Sequence, residues 1–242
     1  MIRIVYLIVC LIGTSGADLI AQYTTQGLDL DGDISVWYDQ TAGIEHTKIL
    51  EGSSYYLRGP HLEENEYYES GEWASGIVGF DGQEYENLDL LYNSFKDELI
   101  IRNPVIHFSI AQPLLLNQQR IDYFQVYDRL FVHIRDTPYP PRGAGFYERL
   151  YDGKSLSFFA KRIKNDYIES GKFLYKEEDR HYLLYDGQYT RYKSKRTIYR
   201  LFPEQKAQLR SLGKKLDTRL GRGGENNLLQ LLEFCDQLVS EK

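Results

Sequence analysis

The chain has two cysteines, one methionine and two tryptophans in 242 residues, and no long apolar run. The nine-residue run Ile4 to Ile12 falls well short of the roughly 20 residues that a membrane-spanning helix needs. No later stretch is apolar enough to span. Cys10 lies inside that run, so an N-terminus removed on export would leave Cys235 alone. A lone cysteine has no partner, which excludes a disulfide within the monomer despite a permissive compartment. Cys235 falls in the apolar helical pattern Leu228-Leu229-Gln230-Leu231-Leu232-Glu233-Phe234-Cys235. There it reads as a small buried hydrophobe. The alternative, a reactive thiol, lacks a visible activating base.

Motifs for chemistry are also scarce. The histidines His46, His61, His107, His133 and His181 are scattered, none in HxH or HExxH spacing, and no cysteine cluster accompanies them. Neither a metal nor a cofactor is expected. No Gly-x-Ser-x-Gly elbow occurs. Asp29, Asp31 and Asp33 alternate as in a calcium loop, but glycine stands at the fourth position of that loop. Gln40 occupies the place of the closing glutamate. The segment therefore reads as an acidic turn. Gly221-Arg222-Gly223-Gly224 follows a helical pattern, whereas a phosphate cradle follows a strand, so it reads as a helix stop. No catalytic residue is assigned.

What is present begins with an address. Arg3, the apolar run and the small residues Gly13 to Ala17 form the three-part layout of a secretory signal peptide. Cleavage after Ala17 fits the small-residue rule. Cleavage after Ala21 is the alternative, with the bulkier Leu19 at the third-last position. A lipoprotein signal at Leu7-Ile8-Val9-Cys10 would put bulky Val9 where a small residue belongs. A buried N-terminal strand is the structural alternative. The expected location is periplasmic or at the cell surface, with no transmembrane span after processing.

Composition then points to β structure. There are 21 Tyr and 11 Phe, and aromatic and β-branched residues suit a pleated, half-buried surface. Strands are expected at 34–38, 74–80, 84–92, 98–102, 105–110, 121–126, 129–134, 146–150, 155–162, 181–184 and 188–201. An aromatic-Asp-Gly turn recurs at 80–82, 151–153 and 185–187, and Asp-Gly between β-like runs is a strong hairpin signal. The expected fold is mainly β (α+β): a curved antiparallel meander, barrel or roll, followed by a C-terminal helical hairpin. Phe202-Pro203-Glu204-Gln205 opens the first helix, carrying Leu209, Leu212, Leu216 and Leu220. Asn226 to Val239 forms the second. The division is a signal peptide at 1–21, an antiparallel β domain at 22–202, and a helical hairpin at 203–242 docked on it.

The net charge of −6 hides an asymmetry. Residues 22–101 carry 17 acids and 3 bases, a balance of −14, and residues 102–242 carry 17 acids and 25 bases, a balance of +8. Either the halves complement each other internally, or the basic half meets an anionic partner. The sharpest basic segment is Arg191-Tyr192-Lys193-Ser194-Lys195-Arg196-Thr197-Ile198-Tyr199-Arg200. As an extended strand it would put Arg191, Lys193 and Lys195 on one face, able to hold an anionic headgroup or partner. These three are the candidate binding residues. The alternative is a solvated or internally neutralised face.

Gly76-Ile77-Val78-Gly79-Phe80-Asp81-Gly82 and Glu84 to Asn93 resemble a "YDG-x-x-Y-x-N-V-x-L-x-YD" stretch. That stretch belongs to a group of uncharacterised secreted proteins of Bacteroidota-type Gram-negative bacteria. The resemblance continues at Gly145 to Lys154, at Lys161-Arg162 and at Lys193-Ser194-Lys195-Arg196, and ends at Leu228 to Leu238. It covers roughly 70–240, with Phe80, Leu88 and Asn93 departing from the pattern. It implies secretion and a β-rich fold and carries over no catalytic residue.

The function expected is a non-enzymatic envelope accessory protein. Its partner would be an envelope protein, a lipid or a glycan, with peripheral membrane contact compatible and nucleic acid ruled out by export. A carrier or sensor of an amphiphile in a curved, aromatic-lined sheet is the alternative. A hydrolase with a site dispersed in sequence is a further one.

Overall fold

The computed structural model describes residues 47–57, 65–104, 112–136, 138, 140–218 and 224–240. The strand expected at 34–38, the acidic turn at 29–33, the strand at 105–110, the N-terminal signal and the glycine stop at 221–223 lie outside the described residues, as do His46, His61 and His107.

Thirteen strands are described: β1 (Ser53–Ser54), β2 (Ala74–Phe80), β3 (Gln83–Asn93), β4 (Glu98–Ile101), β5 (Leu114–Leu115), β6 (Ile121–Val126), β7 (Arg129–Ile134), β8 (Gly145–Asp152), β9 (Leu156–Lys161), β10 (Lys164–Glu169), β11 (Lys172–Glu177), β12 (Arg180–Tyr185) and β13 (Gln188–Tyr192). Their turns explain their register. Asp81-Gly82 and Asp186-Gly187 both take positive φ, the geometry of a two-residue turn that matches strand twist. Tyr127-Asp128 does the same without a glycine, at φ 51° and 57°. The aromatic-Asp-Gly at 151–153 behaves differently. Tyr151 and Asp152 stay in β8, and the loop is displaced to Gly153-Lys154-Ser155, because a carboxylate from the last helix binds that loop's amides.

Eleven strands form one antiparallel sheet in the order β1-β5-β4-β3-β2-β6-β7-β8-β9-β12-β13. The sheet is curved but open, which corrects the barrel alternative. Closure would require β1 to pair with β13, and each ends the sheet instead. β10 and β11 form a separate hairpin turned at Ser170-Gly171. The sequence reading missed it because its apolar residues are consecutive, Tyr167-Ile168 and Phe173-Leu174-Tyr175, and show no strand-like alternation.

One face of the sheet, from β3 to β8 in its order, buries an aromatic cluster. The Phe124 and Phe131 rings stack at 4.7 Å, with Tyr92 and Phe146 packed around them. Those rings pack against one another.

Three helices follow: α1 (Lys195–Leu201), α2 (Lys206–Lys215) and α3 (Gly224–Ser240). α1 replaces the strand expected through Leu201. Its apolar residues Ile198, Leu201 and Phe202 recur at helical, not alternate, spacing, and Ile198 and Phe202 enter the core with Phe202 edge-on to Tyr185 at 4.6 Å. α2 stops at Lys215 rather than reaching Leu220. α3 buries Leu228, Leu231, Leu232 and Cys235 against Leu156, Phe158 and Leu183 of the sheet. No helix among the described residues is long and apolar enough to cross a membrane.

Candidate functional site

The end of β13 and the start of α1 create the site. β13 places Thr190 and Arg191 at the sheet border. The chain then leaves the sheet at Lys193-Ser194, and the Thr197 hydroxyl accepts a bond from the Lys193 N–H at 3.3 Å, fixing the corner. α1 turns back with Arg196 and Arg200 one helical turn apart. Together these residues line an open cleft of about 450 Å³: Thr190, Arg191, Lys193, Ser194, Arg196 and Arg200, with Thr197 at its base.

All four cations of the cleft are exposed, and none forms an ion pair among the described residues. Like charges gathered in one concavity focus the field and attract anions. Arg191 and Lys193 are thus brought together as the sequence suggested. Lys195 is not. Its ammonium donates to the carbonyls of Gly213 at 2.5 Å and Leu216 at 2.9 Å, at the C-terminal end of α2. Helix, not strand, geometry rotates Lys195 away from the cleft and leaves it capping orphan carbonyls. The sequence reading missed Arg196 and Arg200. Their four-residue spacing was the available signal, and it was hidden by reading the segment as extended.

Internal neutralisation accounts for other bases of the C-terminal half. Arg120 pairs with Glu51 and Asp81 at 2.6 Å each, Arg102 with Asp89 at 3.2 Å, and Lys161 with Asp97 at 2.5 Å. These cross the boundary between the acidic and basic segments. The cleft cations are left over from that pairing.

A second charged cluster lies inside. Arg162, on the link from β9 to β10, meets Glu148 at 2.5 Å, Asp179 at 2.5 Å and Glu225 at 3.2 Å. Arg129 reaches Glu148 at 3.0 Å and Glu225 at 3.7 Å. His181, buried, faces Glu225 at 3.6 Å. The His181 imidazole, opposed by burial and aided by the Arg162 guanidinium, holds the Glu225 carboxyl down to about 2. At 3.6 Å the imidazole contact is electrostatic only. Every carboxylate here is committed to a guanidinium. The cluster therefore ties β7, β8 and α3 together, with the buried His181 Nε2 left without a hydrogen-bond partner among the described residues.

Cys235 is buried and its thiol is pushed up to about 12 by burial, the environment of an inert thiol. No grouping of three or more metal-ligating side chains occurs among the described residues. No protein-family model, curated protein or solved structure matches the chain.

Proposed function

We propose that the protein is exported and acts as a non-enzymatic accessory protein that binds an anionic component of the cell envelope through the cleft of Arg191, Lys193, Arg196 and Arg200. The observation that carries this is the convergence on one cleft of four exposed cations that form no ion pair among the described residues, while Asp97, Glu148 and Asp179 are already paired with Lys161 and Arg162. Desolvating a cation costs free energy unless a counter-charge is supplied, so a cleft of cations favours an anionic guest over a neutral one. The signal-like N-terminus and the resemblance to secreted proteins support export. Tyr92, Phe124, Phe131 and Phe146 are engaged in packing on one another, which favours the accessory reading over the amphiphile carrier.

The test is native mass spectrometry of the protein purified gently from the cells that make it, beside a variant with Arg191, Lys193, Arg196 and Arg200 changed to Glu. A component that accompanies the wild type and is lost from the variant supports the proposal. A component kept by both, or none in either, overturns it. Lys195→Met serves as the control and should retain the partner.

A further inference from the structure

We infer that the anionic component is an acidic, extended stretch of another polypeptide, which joins the sheet along the free edge of β13 and sets its carboxylates on Arg191, Lys193, Arg196 and Arg200. The inference rests on the basic cleft proposed above and specifies what occupies it.

Among the described residues β13 is bonded on one side only, to β12. The turn between them has two residues, so its flanking pair Tyr185 and Gln188 exchanges both ladder bonds. Alternation then directs the backbone groups of Thr190 and Tyr192 inward to Leu183 and His181, their partners in register. The N–H and C=O of Tyr189 and Arg191 point outward. Neither residue's outward groups find a hydrogen-bond partner among the described residues. The cleft adjoins this edge: Thr190 and Arg191 of β13 line it together with Arg196, Thr197 and Arg200 of α1, which packs through Ile198 on the sheet face that carries Tyr192. A strand edge facing a helix is a shape that accepts an extended chain, with backbone bonds supplying affinity and side-chain pockets supplying specificity. Five residues of β13 offer about 17 Å of template.

Charge selects the occupant. A second copy pairing through the same edge would oppose Arg191 and Lys193 to themselves, and like charges across strands repel. Basic residues on an edge strand are a known guard against self-association. An acidic strand turns that guard into attraction. A phosphate or an anionic lipid surface would satisfy the four cations but leave the Tyr189 and Arg191 amides unpaired, so the open edge favours polypeptide. The opposite edge, β1, has only Ser53 and Ser54 to offer.

The experiment titrates the full chain with a fluorescent peptide of about eight residues that carries Glu on both strand faces, with Val and Thr between. A copy with Gln for every Glu and vesicles containing phosphatidylglycerol run in parallel. The Glu peptide should bind at least about tenfold more tightly than the Gln copy, with affinity falling as salt rises. Hydrogen exchange should slow at the Tyr189 and Arg191 amides on binding. Arg191→Ala and Arg191→Pro remove the same charge, but only proline removes the outward donor, at an edge position that tolerates it. The proline variant should bind about tenfold more weakly than the alanine variant. If Arg191→Pro fails to fold, the exchange measurement on the wild type decides.

Peptide binding without protection of the Tyr189 and Arg191 amides overturns strand addition and leaves the basic cleft intact. Binding to the vesicles and not to the peptide overturns the polypeptide and assigns the cleft to lipid headgroups. Binding to neither, above the Gln control, overturns both readings.

Discussion

Asp236 ties the last helix to the loop between β8 and β9 by hydrogen bonds, beside the apolar contacts and the Glu225 ion pairs. Its carboxylate accepts from the backbone N–H groups of Lys154 at 2.8 Å, Ser155 at 2.7 Å and Leu156 at 3.1 Å, and from the Tyr151 hydroxyl at 3.3 Å. Gly153 is required beside it, since a Cβ there would lie 2.4 Å from the Asp236 oxygen. Asp236→Ala strips the loop of its acceptor and should cost about 2–3 kcal/mol in urea unfolding. Asp236→Asn, which keeps one acceptor oxygen, should cost roughly half that. Glu225 predicts the acid limb of stability. Its carboxyl is held below its ordinary 4.5, at about 2. A depressed folded value means the stabilisation is complete above pH 4.5 and is lost as pH falls through about 2. Unfolding curves across that window should therefore lose less stability in Glu225→Gln than in the wild type. The buried thiol of Cys235 should resist disulfide reagents in the folded protein and react once the chain is unfolded in urea. Reaction in the folded state would contradict its raised titration.

At the scale of elements, charge pairing and close approach decide which strands meet. Glu148 is only 1 % exposed and depends on Arg162 and Arg129. Arg162→Met leaves that carboxylate buried without its main partner and should destabilise by about 3–5 kcal/mol, whereas the paired change Glu148→Gln with Arg162→Met should recover part of the loss. A double-mutant cycle by thermal or urea unfolding reads the coupling. β2 crosses its neighbours closely at Gly76, where a Cβ would meet the Gln125 carbonyl oxygen at 2.2 Å. The β2–β3 register shifts between Gly76 and Val78, with Asn87 at φ 56°, as at a bulge that adds one residue to a strand. Gly76→Ala should force β2 and β6 apart and cost about 3 kcal/mol. β2, β6 and β7 were legible to the residue in the sequence because turn chemistry and alternation agree there. The hairpin of β10 and β11 was not, because its apolar residues run consecutively between charged ends instead of alternating. α1 was misread as strand because Arg191, Lys193 and Lys195 alternate while the apolar Ile198, Leu201 and Phe202 follow a helical period. Burial, which follows the apolar pattern, prevailed.

Over the whole molecule, charge of opposite sign in the two halves is partly consumed by folding. The sheet joins them through β2 and β6, and Arg120 and Lys161 reach back to Glu51, Asp81 and Asp97. The cations of the cleft stay outside that exchange. Binding through them should weaken steeply with ionic strength, as exposed charges are screened within about 8 Å at physiological salt. If export occurs as proposed, the intact mass of the protein isolated from its own cells should correspond to a start after Ala17 or Ala21. A mass retaining Arg3 and the run to Ile12 would rule out cleavage at either position.

Sequence alone determined the class of fold, most strand positions and the turns at Asp81-Gly82, Tyr127-Asp128 and Asp186-Gly187, because these follow from local periodicity and from the backbone angles those turn residues admit. It also marked the segment around Arg191 as the most basic stretch worth attention. Only tertiary structure decided that the sheet stays open, since closure depends on whether its two end strands meet. Only tertiary structure, too, sorted the cations. Lys195 is drawn to the carbonyl end of α2, Arg162 is buried among three carboxylates, and Arg196 and Arg200 join Arg191 and Lys193 in the cleft. A charge's role is set by its neighbours in space, and those are fixed by packing rather than by spacing along the chain.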